Sequence, residues 1–507
     1  MTATFDARTR APLDAYEQKR LEAVSPEAWN NPEPSGPYQL VILGAGSAGL
    51  AAAEAAAALG AKVALVERHM IGGTCFNTGC VPSKTLLRTA AVYAEMRDAA
   101  RYGARPPDEI KLDFAAAMTR LRRIRSHLTN TTSVRQLVAS GIDVYFGNPQ
   151  FEGPDRLSVN GQPLTFEKAL IATGARPLVP DVPGLRQAGF LTNATVFDLT
   201  ELPPRLLVIG GGPLGCELAQ AFERLGSKVT IVQNLPLFLE HEERDAAQTL
   251  SEAFARDGIE VRLNTAVRAV RMEGGERVVD LVSDDYQSTV RVDAILAGVG
   301  RQPNVQGLAL ERAGVEYDDT AGITVDDHLC TDNPRIYAAG DVCLEAKFTD
   351  IAQESARIAV RNALLHGRER LSERVVPWCT YTDPEIAHVG MYVREANARG
   401  VPIKTFTVPM HQVDRAITDG EQSGFVKLHV SEGSDRILGA TIVSRDAGDM
   451  ISQVTLAMVA GVGLRTLARV IHAYPTKTNA IREAAMAYNR TRLTPRLLAR
   501  LQRWLSR

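Results

Sequence analysis

One segment of this chain occurs twice. LVILGAGSAGLAAAEAAAALGAKVALV (40–66) and LLVIGGGPLGCELAQAFERLGSKVTIV (206–232) share a single register. Each has a short apolar run, three glycines in a G-x-G-x-x-G array, a helix-compatible stretch and a second apolar run. That order reads as strand, tight turn, helix, strand. The first glycine permits the turn, the second admits a pyrophosphate close to the backbone, and the third lets helix and strand pack together. The free N–H groups and positive dipole end of the helix then face the phosphates. The long interval between the copies excludes a solenoid and indicates a duplicated nucleotide-binding unit. The first copy is long enough to span a bilayer and carries only Glu54 and Lys62 as charges. Its glycine break and paired apolar runs argue for the soluble reading.

A length of 507 residues accommodates two to four domains. Apolar residues at 45% and charged residues at 23% belong to a globular protein. Acids (59) and bases (57) nearly cancel, so no basic excess remains for neutralising a nucleic acid. Six cysteines are too few for a disulfide-stapled secreted scaffold of this size. The start, MTATFDARTRAPLDAYEQKR, has no apolar core or cleavage site, so a cytoplasmic protein without a signal peptide is expected.

Gly44, Gly46 and Gly49 form the first array, and Glu67 closes its second strand, where a carboxylate can accept both ribose hydroxyls of an adenosine. Gly210, Gly212 and Gly215 form the second, with neutral Gln233 at the ribose position, followed by Asn234. An acid there favours NAD and nearby arginines favour NADP. With the next basic residue at Arg244, the balance leans weakly to NADH, and NADPH stays open. Two dinucleotide sites in one chain allow electrons to pass between two cofactors.

GGTCFNTGCVPSK (72–84) follows Glu67. In a continuous α-helix, cysteines spaced like Cys75 and Cys80 have Cα atoms roughly 8–9 Å apart, whereas a disulfide needs about 4.4–6.8 Å. The pair can therefore bridge only where the backbone leaves the helix, which Asn77-Thr78-Gly79 permit. Pro82 suits a first helical turn, and Cys80 at that helix N-terminus gains a lowered thiol pKa. A structural disulfide and two buried thiols are the alternatives; the neighbouring dinucleotide site favours a redox pair. Cys216, Cys330, Cys343 and Cys379 read as small core residues.

Along the rest of the chain, residues 1–37 read as an extension with one short helix over Leu13–Val24, and Phe114–Leu137 reads as a single basic helix. A strand-rich stretch ends in ALIATGARP (169–177); ILAGVGRQPN (295–304) and IYAAGDV (336–342) follow the second unit. From Val375 strands alternate with two helices up to AYPT (473–476), and 484–507 is a helical, arginine-rich tail.

GGTC-x4-C-x2-SK between two such units, with ATG, GR-x-PN and AAGD, resembles the flavin-dependent pyridine-nucleotide disulfide oxidoreductases over about residues 38–490. Mercuric reductases and dihydrolipoamide dehydrogenases are the members it is most similar to. The resemblance implies an α/β fold with two Rossmann-type domains, for FAD and NAD(P), and a C-terminal α+β dimerisation domain. The implied layout is an extension 1–37, an FAD domain 38–188 and 301–373, an NAD(P) domain 189–300, and a dimerisation domain 374–507. It further implies a homodimer in which the C-terminal domain of one subunit completes the other's site. By motif, Cys80 would face the flavin as charge-transfer thiol and Cys75 would exchange with substrate. Lys84 would approach the flavin N5 and pair with Glu217, unless the two form an ordinary buried salt bridge. Gly73 and Thr74 would line the FAD site, Thr173 and Gly174 its crossover, and Gly340 and Asp341 the ribityl chain. Gly300 and Arg301 would lie near the nicotinamide nucleotide. No resident metal is expected.

Hydride would pass from NAD(P)H to FAD, then to the Cys75–Cys80 disulfide, then to an acceptor, either a small-molecule disulfide or a thiol-bound metal ion. The disulfide reductases of the family carry His-Pro near the C-terminus with Glu five residues after the His. Here the segment is IHAYPTKTN: Tyr474 precedes Pro475, Asn479 takes the Glu position, and His472 comes two residues early. A tyrosine at that place resembles mercuric reductases, but the chain lacks their CxxC metal-binding domain and C-terminal cysteine pair. A mercuric-ion reductase proper, a diaphorase or quinone reductase, and a flavin-binding scaffold are the competing readings. In the tail Arg490, Arg492, Arg496, Arg500, Arg503 and Arg507 accompany Leu497, Leu501 and Trp504 at helical spacing. Such a helix can lie on an anionic membrane, although packing on its own subunit or on a dimer partner is the favoured reading.

Overall fold

The computed structural model describes residues 13–105, 107, 110–284 and 286–506. The polar start before Leu13 and the tail's Arg507 therefore lie outside the described residues. The chain divides into two compact units, residues 1–237 with 258–373, and residues 238–257 with 374–507.

The first unit opens with α1 (Ala15–Val24), capped by the Asp14 side chain, which accepts from the amides of Tyr16 and Glu17. Strand β1 (Tyr38–Leu43), helix α2 (Ser47–Ala58) and strand β2 (Val63–Glu67) are the first repeated unit. Helices α3 (Gly73–Thr78), α4 (Cys80–Asp98), α5 (Phe114–Thr129) and α6 (Val134–Ala139) follow. Strands β3 (Ile142–Phe146), β4 (Pro149–Gly153), β5 (Arg156–Val159) and β6 (Gln162–Ile171) complete the domain's sheet in the order β3-β2-β1-β6-β5-β4. Strand Ile336–Ala338 returns from far along the chain to pair in parallel with β6. β1 is central and parallel to both neighbours, which explains its near-continuous apolar run.

The second repeated unit forms a four-stranded parallel sheet. Its order is Glu260–Arg262, Lys228–Val232, Arg205–Ile209, Ala294–Ala297. A three-stranded antiparallel sheet (Ala266–Glu273, Glu276–Val282, Gln287–Val292) lies beside it in sequence. The second compact unit is built on a five-stranded antiparallel sheet: Pro377–Thr380, Glu385–Gly390, Ile437–Ser444, Phe425–Ser431, Ile403–Pro409. Val426, Leu428, Ala440 and Ile442 pack there against Ile451, Val454 and Ile481 of the helices.

Two expectations need correction. The single helix over Phe114–Leu137 is two helices, α5 and α6, separated by a 3₁₀ turn at Asn130–Thr132. The Thr131 hydroxyl donates back to Leu128 O at 2.8 Å and Ser133 caps α6, local bonds that compete with helix continuation. Within α5, Arg122 and Arg125 are buried. The tail is likewise two helices, Asn479–Thr491 and Pro495–Leu505, divided where Thr494 caps the second and Pro495 starts it. No residue of Pro495–Leu505 is buried, so packing on its own subunit is not seen. Among the described residues, no helix is long and apolar enough to cross a membrane.

Candidate functional site

The two glycine arrays adopt the same geometry. Gly44 has φ +101°, and a Cβ there would lie 2.4 Å from Ala172 O. A Cβ on Gly49 would lie 1.8 Å from Gly44 O. In the second copy Gly210 has φ +105° with Gly298 O at 2.5 Å, and Gly215 meets Gly210 O at 2.3 Å. The protein's own packing therefore demands the first and third glycines. It does not demand the second. Gly46 and Gly212 have ordinary φ values of −80° and −81°. A Cβ at Gly212 would meet nothing within 4 Å, and one at Gly46 would only touch Gly73 Cα at 3.8 Å. Both precede helices whose N-termini lack any side-chain cap. Glycine at these two positions makes physical sense as clearance for a ligand, and uncapped amides suit an anionic one. The residues thus fit a dinucleotide pyrophosphate at each site.

The two residues expected at the ribose positions are held by the same bond in each copy. Glu67 Oε2 accepts from Ala45 N at 2.7 Å, and Gln233 Oε1 accepts from Gly211 N at 3.1 Å. A neutral amide does at the second site what a carboxylate does at the first. Arg262, in register with Val232, is engaged by Glu260 at 2.9 Å and Ser288 at 3.2 Å.

Cys75 lies in α3 and Cys80 begins α4, with Gly79 between them at φ −135°, ψ −115°. The backbone leaves the helix where the spacing argument requires. Both cysteines are free thiols in the structure. The hydrogen bond between them decides their charges: with Cys75 as donor, Cys80 is lowered to about 6, against the opposing effect of burial. The Thr349 hydroxyl, 3.4 Å from Cys80 Sγ, and the Lys84 ammonium lower it further, while Glu217 opposes them. The same bond and burial push Cys75 far above the ordinary thiol range. The pair therefore holds one thiolate, on Cys80, and one thiol. Lys84 Nζ donates to both Glu217 carboxylate oxygens, at 3.0 and 2.8 Å, and Glu217 is buried.

The Thr173 hydroxyl donates to Asn304 O at 2.8 Å, and Asn304 Nδ2 returns to Thr173 O at 2.9 Å. Gly174, at φ +66°, accepts from Asn304 N. Arg301 pairs with Asp341 at 3.2 Å and reaches the Thr74 hydroxyl at 3.4 Å, while burial raises the Asp341 carboxyl. Arg301 thus ties together Thr74 and Asp341, two residues expected on the flavin side. Gly300, at φ +113°, accepts from Leu178 N. At Gly340, with φ +75°, a Cβ would lie 3.1 Å from Ala48 Cβ and 3.3 Å from Ala352 Cβ.

In the C-terminal unit, Tyr474 is 76% exposed and its hydroxyl donates to Asp414 Oδ2 at 2.8 Å, which raises its pKa. His472 is turned to Gln453, 2.8 Å away, and burial lowers its pKa. Ile471 beside it is 94% exposed.

Sequence reasoning missed Thr349, Asn304 and Asn77. Thr349 is far from the cysteines in sequence and matches no motif. Asn304 belongs to the GR-x-PN segment already noted. Asn77, treated as a residue that lets the helix break, is buried and donates to Ile71 O and Gly73 O at 3.0 and 2.9 Å.

Two family profiles match the chain: "pyridine nucleotide-disulphide oxidoreductase" over residues 38–363, and the dimerisation domain of the same family over residues 376–485. The chain belongs to the pyridine nucleotide-disulphide oxidoreductase family. It is 36% identical to a mercuric reductase from Streptomyces lividans, with 89% of this chain and 96% of that one aligned. It is 34% identical to a dihydrolipoyl dehydrogenase from Thermus scotoductus, over 89% of this chain and 98% of that one. Among solved structures it is similar to the HOCl-induced flavoprotein disulfide reductase RclA from Escherichia coli, with a TM-score of 0.79 and 32% identity, covering 89% and 99% of the two chains. LpdA from Mycobacterium tuberculosis matches with a TM-score of 0.81 at 29% identity, covering 89% and 99%. This member of the oxidoreductase family is an FAD-dependent NAD(P)H disulfide oxidoreductase with the α/β fold and C-terminal dimerisation domain of its relatives.

Proposed function

We propose that this enzyme, working as a homodimer, passes electrons from NAD(P)H through FAD and the Cys75–Cys80 pair to a thiol-bound metal ion in preference to a free disulfide. Bound FAD would supply hydride acceptance from the nicotinamide and two-electron transfer to the cysteine disulfide. Gly46 and Gly212 would clear space for the pyrophosphates, Glu67 would accept the ribose hydroxyls of FAD, and Gln233 those of the nicotinamide cofactor. Lys84, fixed by Glu217, keeps a positive charge beside Cys80 and favours its thiolate.

The observation carrying the choice of acceptor is the state of Cys75 and Tyr474. Only a thiolate attacks a disulfide, and Cys75 retains its proton well above neutral pH. A base must remove that proton. Tyr474, itself raised by Asp414, is a poor one. A soft metal ion needs no base, because coordination by sulfur displaces the thiol proton. Mercuric reductases among the relatives, and a Cu(II) complex of the similar RclA, fit the same chemistry. Among the described residues Cys216, Cys330, Cys343 and Cys379 are not in disulfides, which suits a reducing cytoplasm. A panel of lipoamide, glutathione disulfide, mercuric and cupric ions with excess thiol, and quinones, run with NADH and NADPH, tests the reading. Faster turnover of lipoamide than of every metal ion would overturn it.

NADH is the proposed donor, since Gln233 and Asn234 are neutral and Arg262 is engaged by Glu260. Arginine at positions 233 and 234 should shift the ratio of kcat/KM toward NADPH by roughly tenfold, the worth of a charge-assisted hydrogen bond to a 2′-phosphate. An unchanged ratio would place ribose recognition elsewhere.

A further inference from the structure

The helix α1 lies outside the residues matched by the family profile, which begins at 38, yet it is joined to the redox segment by buried charge. Arg20 is 4% exposed and Arg125, from α5, 2%. Both converge on Asn77, which is itself 2% exposed and lies between the two cysteines in sequence. Arg20 Nη1 donates to Asn77 Oδ1, and Arg125 Nη1 to Asn77 O at 3.0 Å. Glu17 joins the two cations, accepting from Arg20 Nε at 3.1 Å and Arg125 Nη2 at 2.7 Å. Burial alone would raise Glu17, but Arg20 and Arg125 more than offset it and hold the carboxyl below its ordinary value. Further along α1, Val24 O accepts from Ile71 N at 2.9 Å, two residues before α3 starts. Asp14 at its head pairs with Arg122 at 2.6 Å.

This arrangement addresses a weakness of α3. Six residues make too short a helix to hold itself. Its only covalent restraint toward Cys80 is Gly79, a residue free to rotate. The Asn77 side chain is satisfied on both sides, its amide on Ile71 O and Gly73 O and its oxygen on Arg20. Arg125 places a cation on a carbonyl in the last turn of α3, where the helix dipole favours it. We infer that α1 is a positioning element of the redox centre: Arg20 and Glu17 hold Asn77, and through it hold α3 so that Cys75 stays within bonding reach of Cys80. Arg20 touches neither sulfur and acts through Asn77.

The inference rests on the cysteine pair being redox-active and is indifferent to the final acceptor. Its test is the equilibrium of the pair with glutathione: two thiols and one glutathione disulfide give the Cys75–Cys80 bond and two glutathione thiols. The FAD-loaded protein is quenched by alkylation and the two forms are separated by mass. In Arg20→Met the equilibrium constant for closing the bond should fall about tenfold, less than the roughly 10²-fold a 1 Å misplacement can cost. FAD content and reduction of a one-electron dye by NADH, which draws on the flavin and bypasses the thiols, should stay within about twofold of the parent. Arg20→Lys, which keeps a cation able to reach Asn77, should recover part of the loss. Arg20→Gln is the milder substitution that carries the test should Arg20→Met not fold, and it should shift the constant in the same direction. An unchanged constant in Arg20→Met, or in Arg20→Gln where that variant stands in, would overturn the inference. So would a loss of FAD content and dye reduction in proportion to the loss of bond closure, which marks a purely structural role. A parent pair that equilibrates with glutathione but reduces no external acceptor would sink the proposed function and leave the role of α1 standing.

Discussion

Cys80→Ser should abolish the long-wavelength absorbance of a thiolate beside the flavin and, with it, thiol-dependent turnover. Cys75→Ser should keep the absorbance and lose only turnover. The difference follows from where the negative charge sits. Cys80 opens α4 at its positive dipole end and receives the Cys75 hydrogen bond and the Lys84 charge. Its thiol is lowered to about 6, so it is mostly thiolate at neutral pH. The absorbance of the two-electron-reduced enzyme should therefore be full above neutrality and fade as pH falls through about 6. Cys75→Ala removes the largest cause of the lowering and should move that midpoint up, whereas Cys75→Ser leaves a hydroxyl donor and should move it less. Removing either cysteine breaks the two-thiol cycle, so the expected loss of turnover is at least about 10⁴-fold, of the size seen when one member of a catalytic unit is deleted. A titration of absorbance against pH in the four proteins checks all of this. Persistence of the band in Cys80→Ser would exchange the two assignments.

Restoring the missing base should have the second-largest effect. Positioned general acid–base groups contribute about 10²–10⁴-fold in rate, and the wild type should reduce lipoamide or glutathione disulfide with a deficit of that size. Tyr474→His with Asn479→Glu should raise disulfide reduction and leave metal-ion reduction unimproved, because coordination displaces the Cys75 proton without imidazole. The structure argues against His472 as a substitute base. Its Nε2 is held by Gln453, and burial lowers its pKa, which makes the ring a weaker base. Tyr474, in contrast, is exposed, on the domain matched to the family's dimerisation profile. Separate His472→Ala and Tyr474→Phe variants distinguish them. High lipoamide turnover in the wild type, removed by His472→Ala, would show the reading of Tyr474 to be wrong.

The glycine arrays were legible because each position carries its own steric reason, repeated twice. The structure supplied the division among those reasons: a Cβ at Gly44, Gly49, Gly210 or Gly215 would clash with protein atoms, and one at Gly46 or Gly212 would not. The Lys84–Glu217 bond was legible only through family resemblance, since 133 residues separate its partners. The break of α5 from α6 was missed because the basic residues continue through it, and Thr131 and Ser133 act through local bonds that charge patterning does not report.

The sequence by itself determined the two glycine-array units, the family, the candidate redox cysteines and the absence of a His-Pro pair at 474–475. Those features depend on residue type at short spacing, where chain connectivity already brings the groups together. The tertiary structure alone decided that the Cys75 hydrogen bond, Thr349 and Lys84 support a Cys80 thiolate, and that Arg301 joins Thr74 to Asp341. It also showed that the apparent N-terminal extension reaches the redox segment. Glu17, Arg20, Asn77 and Arg125 meet only after α1 and α5 have packed. A buried guanidinium is recognisable as structural rather than solvated only once its desolvation has been compensated by partners remote in the chain.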